Sequence, residues 1–192
     1  REAEGQVSQP VSRARGCSSS NRLRRVILQG PVGSATELEP TADDPHARLI
    51  GTVIAERYRL EQPIGSGGMA TIWAATHLGL DQPVALKLLE VAGPQTRALS
   101  ERFLREARIA ASVRHRNVVD IIDFGSSRDG QPFMAMALLE GMTLAQRMEV
   151  GPITVADVVR HMARVLSGLG AVHDAGLVHR DLKPENIFLV ED

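Results

Sequence analysis

The stretch Val178-His179-Arg180-Asp181-Leu182-Lys183-Pro184-Glu185-Asn186-Ile187-Phe188 decides how the rest of the chain is read. It sets charged and amide side chains between apolar residues, just after Gly176, which is a good helix stop. Asp181 can accept a hydroxyl proton. Lys183 can neutralise charge on a transferring phosphoryl group. Asn186 offers a side-chain oxygen of the hard type that Mg2+ prefers. These residue types at this spacing point to phosphoryl chemistry rather than to packing.

Outward from that stretch the chain alternates legible helices and strands. Thr154 to Asp174 reads as a helix, because Val155, Val158, Val159, Met162, Val165, Leu166, Leu169 and Val172 recur at i, i+3, i+4, i+7. Thr154 with Asp157 makes a start resembling a capping box. Further upstream, Val118 to Ile122 and Phe133 to Leu139 read as strands joined by a turn over Gly125 to Gly130. Ser100 to Val113 reads as a helix with Ser100 as N-cap, since Phe103, Leu104, Ala107, Ala110 and Ala111 fall at helical spacing. Val84 to Leu89 reads as a strand, and with Ile64 to Thr76 it suggests a hairpin about the turn Leu78 to Pro83.

Residues 1 to 50 differ in texture. They are rich in Ser, Pro, Gly and Arg, with sparse apolar residues and no sustained period. Such a stretch buries too little to offset chain entropy and is expected to be a disordered tail. Its arginines are compatible with contacts to anionic partners, or with a merely solvated tail. Across the chain 22 basic residues face 23 acidic ones, which argues against a nucleic-acid binder working by bulk charge. The single cysteine, Cys17, excludes an intrachain disulfide and a cysteine-built zinc site. No apolar run approaches the roughly 20 residues of a membrane span, and no apolar signal segment stands near the start.

Two further segments carry chemistry. Ile64-Gly65-Ser66-Gly67-Gly68-Met69-Ala70-Thr71-Ile72-Trp73 contains Gly-x-Gly-x-x-Ala. Glycines there would let backbone N–H groups approach phosphate oxygens. A dinucleotide fold would need a helix directly after the glycines, and Thr71-Ile72-Trp73 reads instead as a strand. Taken alone, the segment is equally compatible with an ordinary turn. Lys87 lies inside the apolar run Val84-Ala85-Leu86-Lys87, where its ammonium needs water or a partner. Glu106 is a candidate partner. Snorkelling to solvent, or a surface pair among Arg102, Arg105 and Arg108, are the alternatives.

Together, the glycine loop, Val84-Ala-Leu-Lys87 and His179-Arg-Asp-Leu-Lys-Pro-Glu-Asn186 resemble the eukaryotic-type serine/threonine protein kinase family in its bacterial form, in order and approximate spacing. The resemblance runs from Tyr58 to Asp192. It implies an α+β, two-lobed fold: an N-lobe over 58–137 made of an antiparallel sheet plus one helix, and a helical C-lobe over 138–192, truncated at the catalytic loop. It implies ATP and Mg2+ as cofactors, protein substrates with Ser/Thr hydroxyls, no nucleic acid, no membrane span within this chain and a cytoplasmic setting. Gly65, Ser66, Gly67, Gly68, Met69 and Ala70 would cover the ATP phosphates. Ile64, Ile72 and Ala85 would flank the adenine, with Met136 as gatekeeper and Ala137 to Leu139 as hinge. Lys87, fixed by Glu106, would hold the phosphates. Asp181 and Lys183 would be catalytic, and Asn186 would bind Mg2+. His179 would serve packing, and Arg180 suggests control by phosphorylation.

Asp123-Phe124-Gly125 spells the family's metal-binding triplet but precedes Asp181, so it is read as a decoy. The true triplet is expected roughly 15–20 residues after the catalytic aspartate, whereas eleven residues follow Asp181 here. With Arg1 rather than Met at the start, the chain is expected to be a fragment or truncated product that transfers phosphate poorly by itself. The alternative is a non-catalytic nucleotide- or partner-binding module of kinase-like fold. A small-molecule phosphotransferase fits less well, because such enzymes usually lack the Lys183-Pro184 pattern.

Overall fold

The structure, a computed structural model, describes residues 23–28, 45–67, 70–90 and 96–191. In chain order its strands are β1 (Leu23–Leu28), β2 (Val53–Ile54), β3 (Tyr58–Gly67), β4 (Ala70–His77), β5 (Gln82–Leu89), β6 (Ile121–Ser126), β7 (Pro132–Ala137), β8 (Gly141–Thr143) and β9 (Ile187–Glu191). The helices are α1 (Thr96–Ala110), α2 (Leu144–Val150) and α3 (Val155–Asp174), with single 3-10 turns at Pro45–Leu49 and Pro184–Asn186.

Six strands form one antiparallel sheet in the order β2-β3-β4-β5-β7-β6. Period-2 alternation sends neighbouring side chains to opposite faces, and both faces are covered. One face carries Tyr58, Leu60, Trp73, Leu86, Leu88 and Phe133. The other carries Ile72, Ala85, Ile121 and Met136, with Ala110 and Ala111 at the end of α1 packed against them. A sheet buried on both sides explains the near-continuous apolar run of β5. A third cluster, of Leu28, Leu144, Val165, Ile187 and Leu189, gathers α2, α3 and a small sheet ordered β1-β9-β8.

Several expectations are corrected by these elements. Ser100 is not the N-cap of α1: the helix begins at Thr96, and the Ser100 hydroxyl donates to the Thr96 carbonyl at 2.7 Å. The strand expected over Val118 to Ile122 starts at Ile121 and runs through Asp123-Phe124-Gly125 to Ser126. The disordered reading of residues 1–50 fails at Leu23–Leu28, which pairs antiparallel with β9. A short apolar run cannot order itself, but an open strand edge supplies its backbone partners, and Ile27 and Leu28 are buried there. Pro45–Leu49 is ordered as well. Cys17 and the arginines Arg13, Arg15 and Arg22 lie outside the described residues, as do Gly68 and Met69.

On α3 the expected apolar stripe divides. Thr154 caps it as anticipated, accepting from the Asp157 N–H at 3.1 Å. Val165 and Val172 are buried, but Val155, Val159 and Leu166 are 81%, 63% and 64% exposed, so only part of the stripe faces this core. α2 is not anticipated from the sequence, although Thr143-x-x-Gln146 is a capping-box pattern: Gln146 N–H donates to Thr143 Oγ1 at 3.1 Å, and Thr143 N–H to Gln146 Oε1 at 2.7 Å. Among the described residues no helix is long and apolar enough to cross a membrane.

Gly141 opens β8 at φ +142°, and a Cβ there would stand 2.1 Å from the Leu189 carbonyl oxygen of β9. The Gly141→Ala substitution is therefore expected to destabilise the chain by about 1–3 kcal/mol. Urea unfolding checks this, and an unchanged midpoint would contradict the close approach.

Candidate active site between sheet and loop

On the sheet, the β3–β4 register sets Gly65 opposite Ile72, Ser66 opposite Thr71 and Gly67 opposite Ala70. Ala85 lies between Ala74 of β4 and Met136 of β7, and Lys87 between Ile72 and Met134. Ile72, Ala85 and Met136 are buried in one cluster, against which Ile64, Ala137, Leu138 and Leu139 pack while partly exposed. The apolar residues singled out from the sequence are thus brought together, across four separate segments.

Lys87 is only 9% exposed. Burial pushes its pKa down to about 8, and the negative charge of Glu106 opposes that shift. Its Nζ stands 5.8 Å from the centre of the Phe103 ring, a cation–π distance. Glu106 itself is shared. Arg102, one turn earlier on α1, holds its Oε1 with Nε at 2.9 Å, so the pairing left open among the helix arginines is occupied. Arg102 and Phe103 were not singled out as site residues. Their signal is positional, since i−4 and i−3 from Glu106 share its helix face.

The loop carrying Asp181 is held by its own backbone. Asp181 N–H donates to the His179 carbonyl at 2.8 Å, a bond spanning a single residue, and that residue, Arg180, sits at φ +61°. A non-glycine residue in this region costs on the order of 1–3 kcal/mol and persists only where its surroundings impose it. Pro184–Asn186 then makes a 3-10 turn in which Asn186 N–H reaches the Lys183 carbonyl at 3.0 Å. The Asn186 side chain, 1% exposed, donates to the Asp181 carbonyl at 2.7 Å and to Asp181 Oδ2 at 3.0 Å. Lys183 Nζ lies 3.1 Å from the same Oδ2. The hydrogen bond from Lys183, followed by that from Asn186, holds the Asp181 carboxyl below the usual carboxylate range. Asp181 is therefore ionised at neutral pH, and the Lys183 and Asn186 side chains converge on one of its oxygens.

A cavity of about 390 Å3 is lined by Lys87, Phe103, Glu106 and Met136 and by His179 and Arg180, whereas Ile64, Ile72, Ala85, Asp181, Lys183 and Asn186 are not among its lining residues. Asp123 is not among its lining residues. Its carboxylate instead accepts from Tyr58 OH at 2.8 Å and pairs with Arg57 Nη1 at 2.8 Å, tying β6 to the start of β3. Burial, then this hydrogen bond, pushes the Tyr58 phenol well above its ordinary range.

The chain matches the protein kinase domain over residues 58–192. It belongs to the protein kinase family. It is 41% identical over 141 residues to the serine/threonine-protein kinase pkn3 of Myxococcus xanthus, covering 73% of this chain and 26% of that protein. It is 40% identical over 146 residues to the serine/threonine-protein kinase PknL of Mycobacterium tuberculosis, covering 75% and 36%. The chain thus spans about a quarter to a third of the length of these relatives. Among solved structures, the M. tuberculosis PknI kinase domain superimposes with a TM-score of 0.66 at 29% identity, over 74% of this chain and 57% of that one. The two-lobed kinase fold, with its antiparallel N-lobe sheet and a partial C-lobe, is shared with these neighbours.

Folding lowers the Lys87 pKa, so between about pH 8 and the unfolded value of roughly 10.4 the unfolded chain binds more protons and stability rises with pH. A 15N-lysine NMR titration is expected to show one lysine with a midpoint near 8, moved lower still by Glu106→Gln. A Lys87 midpoint at the ordinary value would contradict the burial.

Proposed function

We propose that this chain is the nucleotide-binding and catalytic-loop portion of a serine/threonine protein kinase, which transfers the ATP γ-phosphate to Ser/Thr hydroxyls of proteins. The reading rests first on the convergence of Lys183 and Asn186 on the Asp181 carboxylate; the buried Lys87 lines one cavity with His179 and Arg180, the two residues before Asp181. Family membership supports it.

ATP, when bound, supplies the phosphoryl group, and Mg2+ neutralises its developing charge. The residues present fit that pair. Ile64, Ile72 and Ala85 offer an apolar surface for the adenine, bordered by Met136 and the segment Ala137 to Leu139. Gly65, Ser66, Gly67, Gly68, Met69 and Ala70 would cover the phosphates, with backbone N–H groups free of Cβ obstruction at the glycines. Lys87 would hold phosphate oxygens and Glu106 would position it. Asn186 spends its amide nitrogen on Asp181, which leaves its oxygen as the group that would bind Mg2+. Among the described residues no three His, Cys, Asp or Glu side chains cluster to hold a metal alone. Asn186 would be one of its ligands, beside phosphate oxygens and water.

Asp181, an ionised carboxylate, would orient the substrate hydroxyl and take its proton. Lys183, beside it, would neutralise charge on the transferring group. The reading sets the chain in the cytoplasm, with proteins rather than nucleic acid as partners.

The intact protein is expected to label a basic test protein from γ-labelled ATP, and Asp181→Asn should lower that labelling at least 100-fold. Undiminished labelling would overturn the assignment. The 192-residue chain should melt at higher temperature with ATP and Mg2+, and Lys87→Met should remove most of that rise.

A further inference from the structure

The 3-10 turn Pro45–Leu49 stands upstream of Tyr58, where the family match begins. Just after it, the chain is fixed to β3 by backbone bonds. Gly51 N–H donates to the Leu60 carbonyl at 2.8 Å, and Leu60 N–H donates to the Thr52 carbonyl at 2.9 Å. The other end of the turn carries His46. Its ring meets the Trp73 ring of β4 edge-on, with centroids 6.0 Å apart, an arrangement that aromatic quadrupoles favour. Its Nδ1 stands 3.7 Å from Oε1 of Glu90, the residue directly after β5.

Strand alternation decides which face of the sheet this is. Ile72 and Ala85 belong to the cluster expected to border the nucleotide, whereas Trp73, Leu86 and Leu88 belong to the opposite one. Thr71 and Glu90 lie two residues from Trp73 and Leu88 along their chains, so His46 sits on the face away from the nucleotide. Thr71 is 1% exposed, and a buried hydroxyl needs a partner. It donates to Glu90 Oε1, the same oxygen that faces His46. Thr71 directly follows Ala70 and pairs with Ser66, while Ala70 pairs with Gly67. A continuous path therefore runs from the upstream segment through His46, Glu90 and Thr71 to the glycine hairpin.

We infer that Pro45–Leu49 is a strap which backs the glycine hairpin from the face opposite the nucleotide, and that His46 and Glu90 are positioning residues acting through Thr71 on Ser66 and Ala70. Neither touches nucleotide or substrate. Lifting the strap loosens the hairpin, so the upstream chain is linked to the turn that covers the phosphates. The contacts follow from the structure; the role of the hairpin over ATP rests on the kinase reading above.

The test uses the whole 192-residue chain. Trp73 is its only tryptophan, so intrinsic fluorescence reports on the strap directly. His46→Ala should expose the indole and raise acrylamide quenching of its emission about twofold or more. His46→Ala and Glu90→Ala should each speed amide exchange at Ser66, Gly67 and Thr71 about tenfold or more, while Phe133 and Ala135 of β7 keep their protection. Glu90→Gln keeps an acceptor for the Thr71 hydroxyl and should restore the protection that Glu90→Ala loses. ATP–Mg2+ should bind about threefold to tenfold more weakly to His46→Ala and Glu90→Ala than to the unsubstituted chain, a change that a merely structural strap would not produce. His46→Gln takes the place of His46→Ala should that variant fail to fold. Unchanged quenching overturns the strap, as does unchanged exchange at the hairpin in either alanine variant or a failure of Glu90→Gln to restore it. Equal loss of protection in β7 also overturns it, because the whole sheet would then have been weakened. Unchanged ATP affinity in the variants overturns the positioning role. Absence of ATP–Mg2+ binding to the unsubstituted chain would refute the kinase reading and leave quenching and exchange to judge the strap.

Discussion

A cation held inside an apolar sheet is the constraint around which this molecule is arranged. Lys87 stands in β5, between β4 and β7, in a sheet covered on both faces. An ammonium there loses most of its hydration, which is why its pKa falls to about 8. α1 presents Glu106 and the Phe103 ring to the same cavity, and both favour the charged form. Those two residues fix which face of α1 must turn inward. Arg102 competes for the same carboxylate, so the local field at Lys87 is a balance between burial and a shared anion.

The second half of the site stores strain rather than desolvation. Arg180 adopts a left-handed conformation to bring the Asp181 N–H back to His179. Asn186, almost wholly buried, then binds both the backbone and the side chain of Asp181. A loop so constrained presents a carboxylate of fixed direction, already ionised, with a lysine at hydrogen-bond distance. On the proposed kinase reading, positioning of this kind would lower the entropic part of a barrier before any substrate arrives. The loop has no core of its own, however. β9, which follows it, is paired on both edges, by β8 and by β1.

Much of this was legible from residue order. The turn read over Leu78 to Pro83 between two short β segments announces the hairpin of β4 and β5, although β5 already begins at Gln82, and the periodicity from Val155 to Val172 announces α3. The motif around Asp181 names its own chemistry, because Asp, Lys and Asn at that spacing lie within reach of one another in a single loop. The decoy at Asp123 is legible from its place before Asp181, and in the fold its carboxylate is taken up by the distant Tyr58 and Arg57. What residue order concealed is non-local. Ser100 resembles a cap, yet α1 extends a further turn upstream. Val155, Val159 and Leu166 share a helical stripe with Val165, yet remain exposed because no described element covers them.

β1 marks the boundary most sharply. By composition Leu23–Leu28 belongs to a polar, arginine-rich tail, and its few apolar residues cannot order a chain by themselves. In the fold it pairs with β9, and Ile27 and Leu28 are buried in two different cores. The sequence by itself determined the candidate site groups and most of the helices and strands that carry them, since periodicity and motif spacing are short-range properties of the chain. Only the tertiary structure decided how those groups share their partners: Glu106 between Lys87 and Arg102, and Asp181 between Lys183 and Asn186. Burial and charge sharing depend on segments far apart in sequence, and no local pattern encodes their distance.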